Sequence, residues 1–239
     1  MIARDPKRRP ETQLLADVSP DRTNLFRGVV AWTDDVDGWR RSARETLDET
    51  PGRVLRRTVW DHPESPEQRL AVDVVECASG DDAIAALGDR LEWNELATLA
   101  VGPKGLGAAA FMHPKNVPPA VFFVRANLCI SVVSFARRAT PALPVAERID
   151  QRLGAPPPPV DVSRLHVERE PVAHDAIGVS LRLPFPLAED GYLRYTADGG
   201  RIEIRDDHVV VIPSGPGAVV RVFVIEPGRA PVAGTLSIP

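Results

Sequence analysis

Apolar positions along this chain follow two periods, and the balance between them changes at a run of four prolines. Trp39, Ala43 and Leu47 recur every four residues, one stripe of a helix that Asp37 caps and Pro51-Gly52 ends. Two strand-like runs follow, 54–60 and 70–77, joined by the polar loop DHPESPEQ. Ser79, with Asp82 three positions on, resembles a capping box, and Ala83, Ile84, Leu87 and Leu91 then share a helical face. Runs 106–112, 120–124 and 128–135 read as three more strands. Arg125-Ala126-Asn127 is the tight turn between the last two, with Asn127 tolerating a left-handed backbone; one continuous strand over 120–135 is the alternative. Pro144 suits the first turn of a helix whose Val145, Ile149 and Leu153 lie on one face and which Gly154 stops. The expected class for residues 1–154 is α+β, an antiparallel sheet with helices on one side.

Beyond the prolines the pattern is nearly all strand. Arg201-Ile202-Glu203-Ile204-Arg205 alternates strictly, which directs two isoleucines inward and three charges into water. Runs 209–212 and 218–225 are apolar on both faces, as in central strands facing a second layer. Asp190-Gly191, Asp198-Gly199-Gly200 and Glu226-Pro227-Gly228-Arg229 supply turns. About seven short strands are expected over 160–239, an all-β sandwich of immunoglobulin-like kind without that fold's paired cysteines or core tryptophan. Consecutive prolines hold the backbone extended and donate no hydrogen bonds, so 155–159 reads as a semi-rigid linker between the two domains.

Composition narrows the function classes. The chain has 239 residues with 29 Lys+Arg against 33 Asp+Glu, a net charge of −4, so it lacks the basic excess of a nucleic-acid footprint. No run approaches the ~18 apolar residues of a membrane span. Nor do the first twenty residues hold the apolar stretch of a signal peptide, so the chain is cytoplasmic, or extracytoplasmic if a leader has been removed.

The candidate chemistry is sparse. Thr33-Asp34-Asp35-Val36-Asp37-Gly38 fails as a calcium loop because Arg44 falls where a bidentate Glu is needed, and it reads as acids at a helix start. Five histidines stand at no metal-ligand spacing, and Asp206-Asp207-His208 reads as a solvated hairpin turn. Arg40-Arg41, Arg56-Arg57 and Arg137-Arg138 read as solvated faces, since neighbours on a strand point to opposite sides, and Trp32 and Trp39 read as core. Cys77 and Cys129 either pair across strands or stay as inert apolar thiols. No serine sits in a nucleophile elbow. The candidate ligand-binding residues are Lys104, in the one Gly-rich loop that holds a base, with His113 and Arg125. No catalytic residue, metal ligand or cofactor is assigned.

From Leu14 to Leu153 the order of elements resembles a bacterial domain family of unknown function found mainly in exported and lipid-anchored proteins. The resembling stretches are LAVDVVECAS running into GDDAIAALGDRL, then VGPKGLGAAAF, AVFFVRANLCISVVSF and LPVAERIDQRL. An aromatic-glycine stretch before the first strand is missing. The resemblance implies an extracytoplasmic, non-enzymatic domain with no catalytic residues to carry over. The expected function is therefore a non-catalytic bacterial binding or structural protein with a protein or small-molecule partner. The alternatives are a small hydrolase whose site is assembled from distant residues, and a docking component of a larger assembly.

Overall fold

The computed structural model describes residues 15–93, 99–113, 119–135, 140–156, 165–172, 176–206 and 208–239. Strand β1 (Asn24–Arg27) and a 3-10 turn (Thr33–Val36) precede an antiparallel meander of β2 (Arg40–Thr50), β3 (Arg53–His62) and β4 (Ser65–Cys77). With β5 (Ala100–Val101), β6 (Ala109–Met112), β7 (Ala120–Arg125) and β8 (Leu128–Ser134), the meander forms a seven-stranded sheet in the order β2-β3-β4-β8-β7-β6-β5. Its centre is apolar on both sides, because Phe122 and Phe123, adjacent in β7 and so on opposite faces, are both buried. Each such side chain removed from water contributes about 1.5–3 kcal/mol, so both faces need a cover.

Two helices provide it, one on each face. Helix α1 (Gly80–Trp93) lays Ala83, Leu87 and Leu91 over Val75, Phe122 and Cys129. Helix α2 (Leu143–Gly154) lays Val145, Ile149 and Leu153 over Val121, Phe123 and Ile130. Ser79 starts α1 as expected: its hydroxyl accepts the Asp82 N–H at 3.2 Å and donates to the Asp82 carboxylate at 2.6 Å.

The remaining strands are β9 (His166–Pro171), β10 (Ile177–Arg182), β11 (Tyr192–Asp198), β12 (Gly200–Arg205), β13 (His208–Pro213), β14 (Val219–Ile225) and β15 (Val232–Ser237). They form a β-sandwich of two antiparallel sheets, β1-β11-β14-β15 and β12-β13-β10-β9, around Ile177, Val179, Ile202, Ile204, Val209, Val220 and Val222. The Arg201–Arg205 alternation holds: both isoleucines are buried and both arginines exposed.

The expected α+β class is overturned. Strand makes up 51% of the described residues and helix 16%, so the fold is predominantly β. The expected placement of helices on one side fails with it, since runs such as Val121-Phe122-Phe123-Val124 bury both faces and one helical layer covers only one. The helix expected after Asp37 is strand β2. Trp39, Ala43 and Leu47 have helical spacing by coincidence, and eleven residues pair instead with β3 through bulges at Arg41/Ala43 and Thr46/Asp48. In the β7–β8 turn the positive φ, 51°, falls on Ala126 rather than Asn127, whose side chain is engaged elsewhere. The stretch expected as a strand from 106 is a turn until Ala109.

Chain order and sheet membership part at β1. Residues 24–27 lie far ahead of the prolines yet pair with β11 as an edge strand of the sandwich, Leu25 facing Tyr195 across the ladder. Leu25 belongs to the sandwich core and Phe26 to the core beneath α2, so successive side chains of one strand serve two interiors. Ala155 and Pro156 of the expected linker are described, whereas 157–159 lie outside the described residues.

Candidate functional site

The three sequence candidates are not brought together. Lys104 is exposed on the turn before β6. Arg125, at the end of β7, is bound by Asp150 of α2 through two hydrogen bonds of 2.7 and 2.6 Å, and the same carboxylate accepts the Gly107 N–H at 3.1 Å. Arg125 therefore ties α2 and the Gly-rich turn to the sheet. His113 follows β6, its N–H bonded to the Ala120 carbonyl at 2.9 Å and its ring 6.0 Å from that of Phe122. Five residues of β7 part it from Arg125, about 17 Å of strand.

The polar clusters read in the sequence are mostly structural. Asp35 accepts the Trp32 N–H at 2.8 Å, closing the 3-10 turn, and takes a 2.6 Å bond from Arg152 of α2. Burial pushes the Asp35 carboxyl up and the Arg152 guanidinium down, each opposed by the charge of the other. Arg152 also stacks on the Trp32 ring at 4.3 Å, and Trp32 meets Tyr192 of the sandwich at 5.6 Å. Arg56 and Arg57 do face opposite ways, to Glu76 at 2.8 Å and to Asp73 at 2.7 and 2.8 Å. Arg137-Arg138 lie outside the described residues, as do His174 and Asp207.

Both thiols are free and buried. Cys129 stands opposite Val75, which puts Cys77 on the diagonal of the ladder. Diagonal Cα atoms are about 7–8 Å apart, past the ~7 Å that a disulfide spans without moving the backbone. Burial raises each thiol to about 12, which removes the thiolate that a nucleophile or metal ligand needs. Among the described residues no group of three His, Cys, Asp or Glu side chains is placed to hold a metal ion.

Linear order does not reveal a group of clefts, two where the β2–β3 hairpin meets the sandwich and one within the sandwich beside them. One, of about 290 Å³, is lined by Arg27, Thr50, Gly52, Arg53, Glu76 and Asp206. A second, of about 350 Å³, runs between Arg44, Arg56 and the 187–191 loop. A third, of about 330 Å³, lies beside Arg27, Glu170, Ser180, Tyr195 and His208. Arg27 lines the first and third, and its neighbour Gly28 lines the second. Glu76 anchors the seam: its buried carboxylate accepts the Gly28 N–H at 2.7 Å and a bond from Arg56, and Arg27 lies 3.9 Å away. Burial raises the Tyr195 phenol, against the opposing charge of Arg27, so it stays a neutral hydroxyl. Arg27 is 37% exposed, enough to keep donors turned to solvent beside apolar walls.

The third cleft also gathers a row that linear spacing hides. Ser180 pairs with Glu168 on β9, and one step past the Val179–Val209 pair sets it beside His208. His208 Nε2 lies 3.1 Å from the Glu170 carboxylate. No family model, curated protein or solved structure matches this chain.

Proposed function

We propose that this is a non-catalytic bacterial binding or structural protein that recognises its partner along the seam between hairpin and sandwich. The observation that carries this reading is Arg27, a partly exposed arginine that lines the cleft between hairpin and sandwich and, beside it, a cleft of the sandwich itself. The ionisable groups inside the fold are committed to ties between elements, Asp35 to Arg152, Asp150 to Arg125 and Asp73 to Arg57, and the thiols are held protonated. Mixed charge around shallow apolar walls suits an extended polypeptide better than a small molecule, which favours an enclosed pocket. Panning a random peptide library on the folded protein tests it. Selected peptides should lose at least about tenfold in affinity on Arg27→Glu in a variant with unchanged melting temperature; peptides indifferent to Arg27 would remove the seam.

A second reading, a hydrolase, is favoured by the Ser180, His208 and Glu170 row. Turnover of p-nitrophenyl acetate, p-nitrophenyl phosphate and labelled casein separates the two. The binding reading expects rates equal to buffer for each, whereas hydrolysis abolished by Ser180→Ala would put the second reading in its place.

A further inference from the structure

Strand β1 sets Arg27 on the inner side of the sandwich. Leu25 faces Tyr195 and Arg27 faces Leu193 across the β1–β11 ladder. Residues two apart on a strand share a face, so the Arg27 side chain starts on the side where Leu25, Tyr195 and Leu193 meet the sandwich core. The neighbouring acid, Glu76, lies 3.9 Å from Arg27 Nε and is already engaged by the Gly28 N–H and by Arg56. The Arg27 guanidinium hydrogen-bonds to no group among the described residues. Tyr195, its diagonal neighbour in the ladder, is 3% exposed and lines the same cleft, yet its hydroxyl also bonds to no described residue. Two polar groups are thus left uncommitted side by side at an interior where such groups are normally paired.

The walls around them are apolar. The pairing of β10 with β13 ends at Val179 and Val209, while β10 stays paired with β9 as far as Arg182. The cleft of about 330 Å³ lies where that pairing stops, lined by Val179, Leu181, Leu183, Leu193 and Val209, with the three leucines half-buried. We propose that this cleft receives the C-terminal carboxylate of a polypeptide whose last residue is apolar, with Arg27 and Tyr195 holding the carboxylate and the leucines holding the side chain. This deepens the binding reading and rests on it. A guanidinium fork grips a carboxylate through two parallel charge-assisted bonds, and a neutral phenol donates a third. The acid that lines the cleft, Glu170, is held by His208 at 3.1 Å. Because Arg27 also lines the cleft against the hairpin, the residues that precede the terminus have a groove to continue in, which favours a polypeptide end over a free acid.

NMR titration of the isotope-labelled full chain tests this with three probes: N-acetyl-Ala-Ala-Leu as the free acid, the same tripeptide as its amide, and octanoate. The acid should bind at least about tenfold more tightly than the amide, and Arg27→Gln should abolish that difference. Tyr195→Phe removes a hydroxyl that no described residue uses, so the fold should melt as before. It should weaken the acid about threefold or more and leave the amide unchanged. Equal binding of acid and amide overturns the assignment, as does an acid preference that survives Arg27→Gln or is indifferent to Tyr195→Phe. So does an absence of binding up to about 20 mM. Octanoate binding more tightly than the tripeptide acid would overturn it too, by making the site one for free apolar acids. Library peptides that depend on Arg27 but bind equally well as C-terminal amides would sink this inference and leave the seam standing. An intact acid preference with no Arg27-dependent library peptide would do the reverse, so the two failures are distinguishable.

Discussion

The side-chain amide of Asn127 pairs with both backbone groups of Phe26: its oxygen accepts the Phe26 N–H at 2.7 Å and its nitrogen donates to the Phe26 carbonyl at 3.0 Å. The same nitrogen donates to the Cys77 carbonyl at 2.9 Å. A β-turn residue thereby does for the outer edge of β1 what another strand would do, and Glu76 continues the service at Gly28. The edge of β12 is closed similarly, with Ile202 N–H on the Arg22 carbonyl at 2.9 Å and Ile204 N–H on the Ala78 carbonyl at 2.8 Å. The sandwich is thus sealed to the seven-stranded sheet by hydrogen bonds as well as by apolar packing.

Replacing Asn127 by Ala strips partners from a buried N–H and two carbonyls. Each buried group left unpaired costs about 1–3 kcal/mol, so the loss should reach about 3 kcal/mol or more. Asn127→Asp should be no milder, because a carboxylate facing two carbonyls repels them. Urea unfolding with both variants checks this, and a loss under about 1 kcal/mol would mean that water replaces the amide.

The Asp35–Arg152 pair joins the 3-10 turn to α2 inside the core, with side chains only 4% and 13% exposed. Removing one member strands a buried charge, and Arg152→Ala or Asp35→Ala should each cost about 3–5 kcal/mol. The apolar double replacement Asp35→Leu with Arg152→Met should recover most of that, since it also removes the desolvation. A double-mutant cycle by chemical denaturation checks the expectation, and strictly additive losses would contradict it.

Alkali should weaken the fold through Cys77 and Cys129. Their folded values, about 12, lie above the ordinary thiol value of 9.0, so the folded state keeps the proton longer than the unfolded one. Their contribution is whole below pH 9 and is lost as pH rises from about 9 to about 12. At pH 10 the loss is about 1 kcal/mol per thiol. Urea midpoints from pH 8 to 10.5 should fall less steeply in Cys129→Ala than in wild type, and Ellman's reagent should label both thiols only after unfolding.

Legibility followed the range of the forces concerned. The Ser79 cap, the alternation over Arg201–Arg205 and the Pro144 start of α2 were readable because each depends on groups within one turn or one strand. The candidate residues were not readable as a site. Arg125 looked available because Asp150, twenty-five positions away, is brought to it only by the packing of α2, and Arg27 looked ordinary because its clefts are made by segments from 49–54 to 204–209.

By itself the amino-acid order determined where most of the backbone turns fall and which segments carry a single wet face. Tertiary structure alone decided that β2 is strand and not helix, that four residues near the start complete a sandwich built from the far end, and that each helix takes its own face of the sheet. The reason is physical: turns and caps are settled by covalently close neighbours, whereas a strand's state and its partner depend on hydrogen bonds and apolar surface supplied by residues far along the chain.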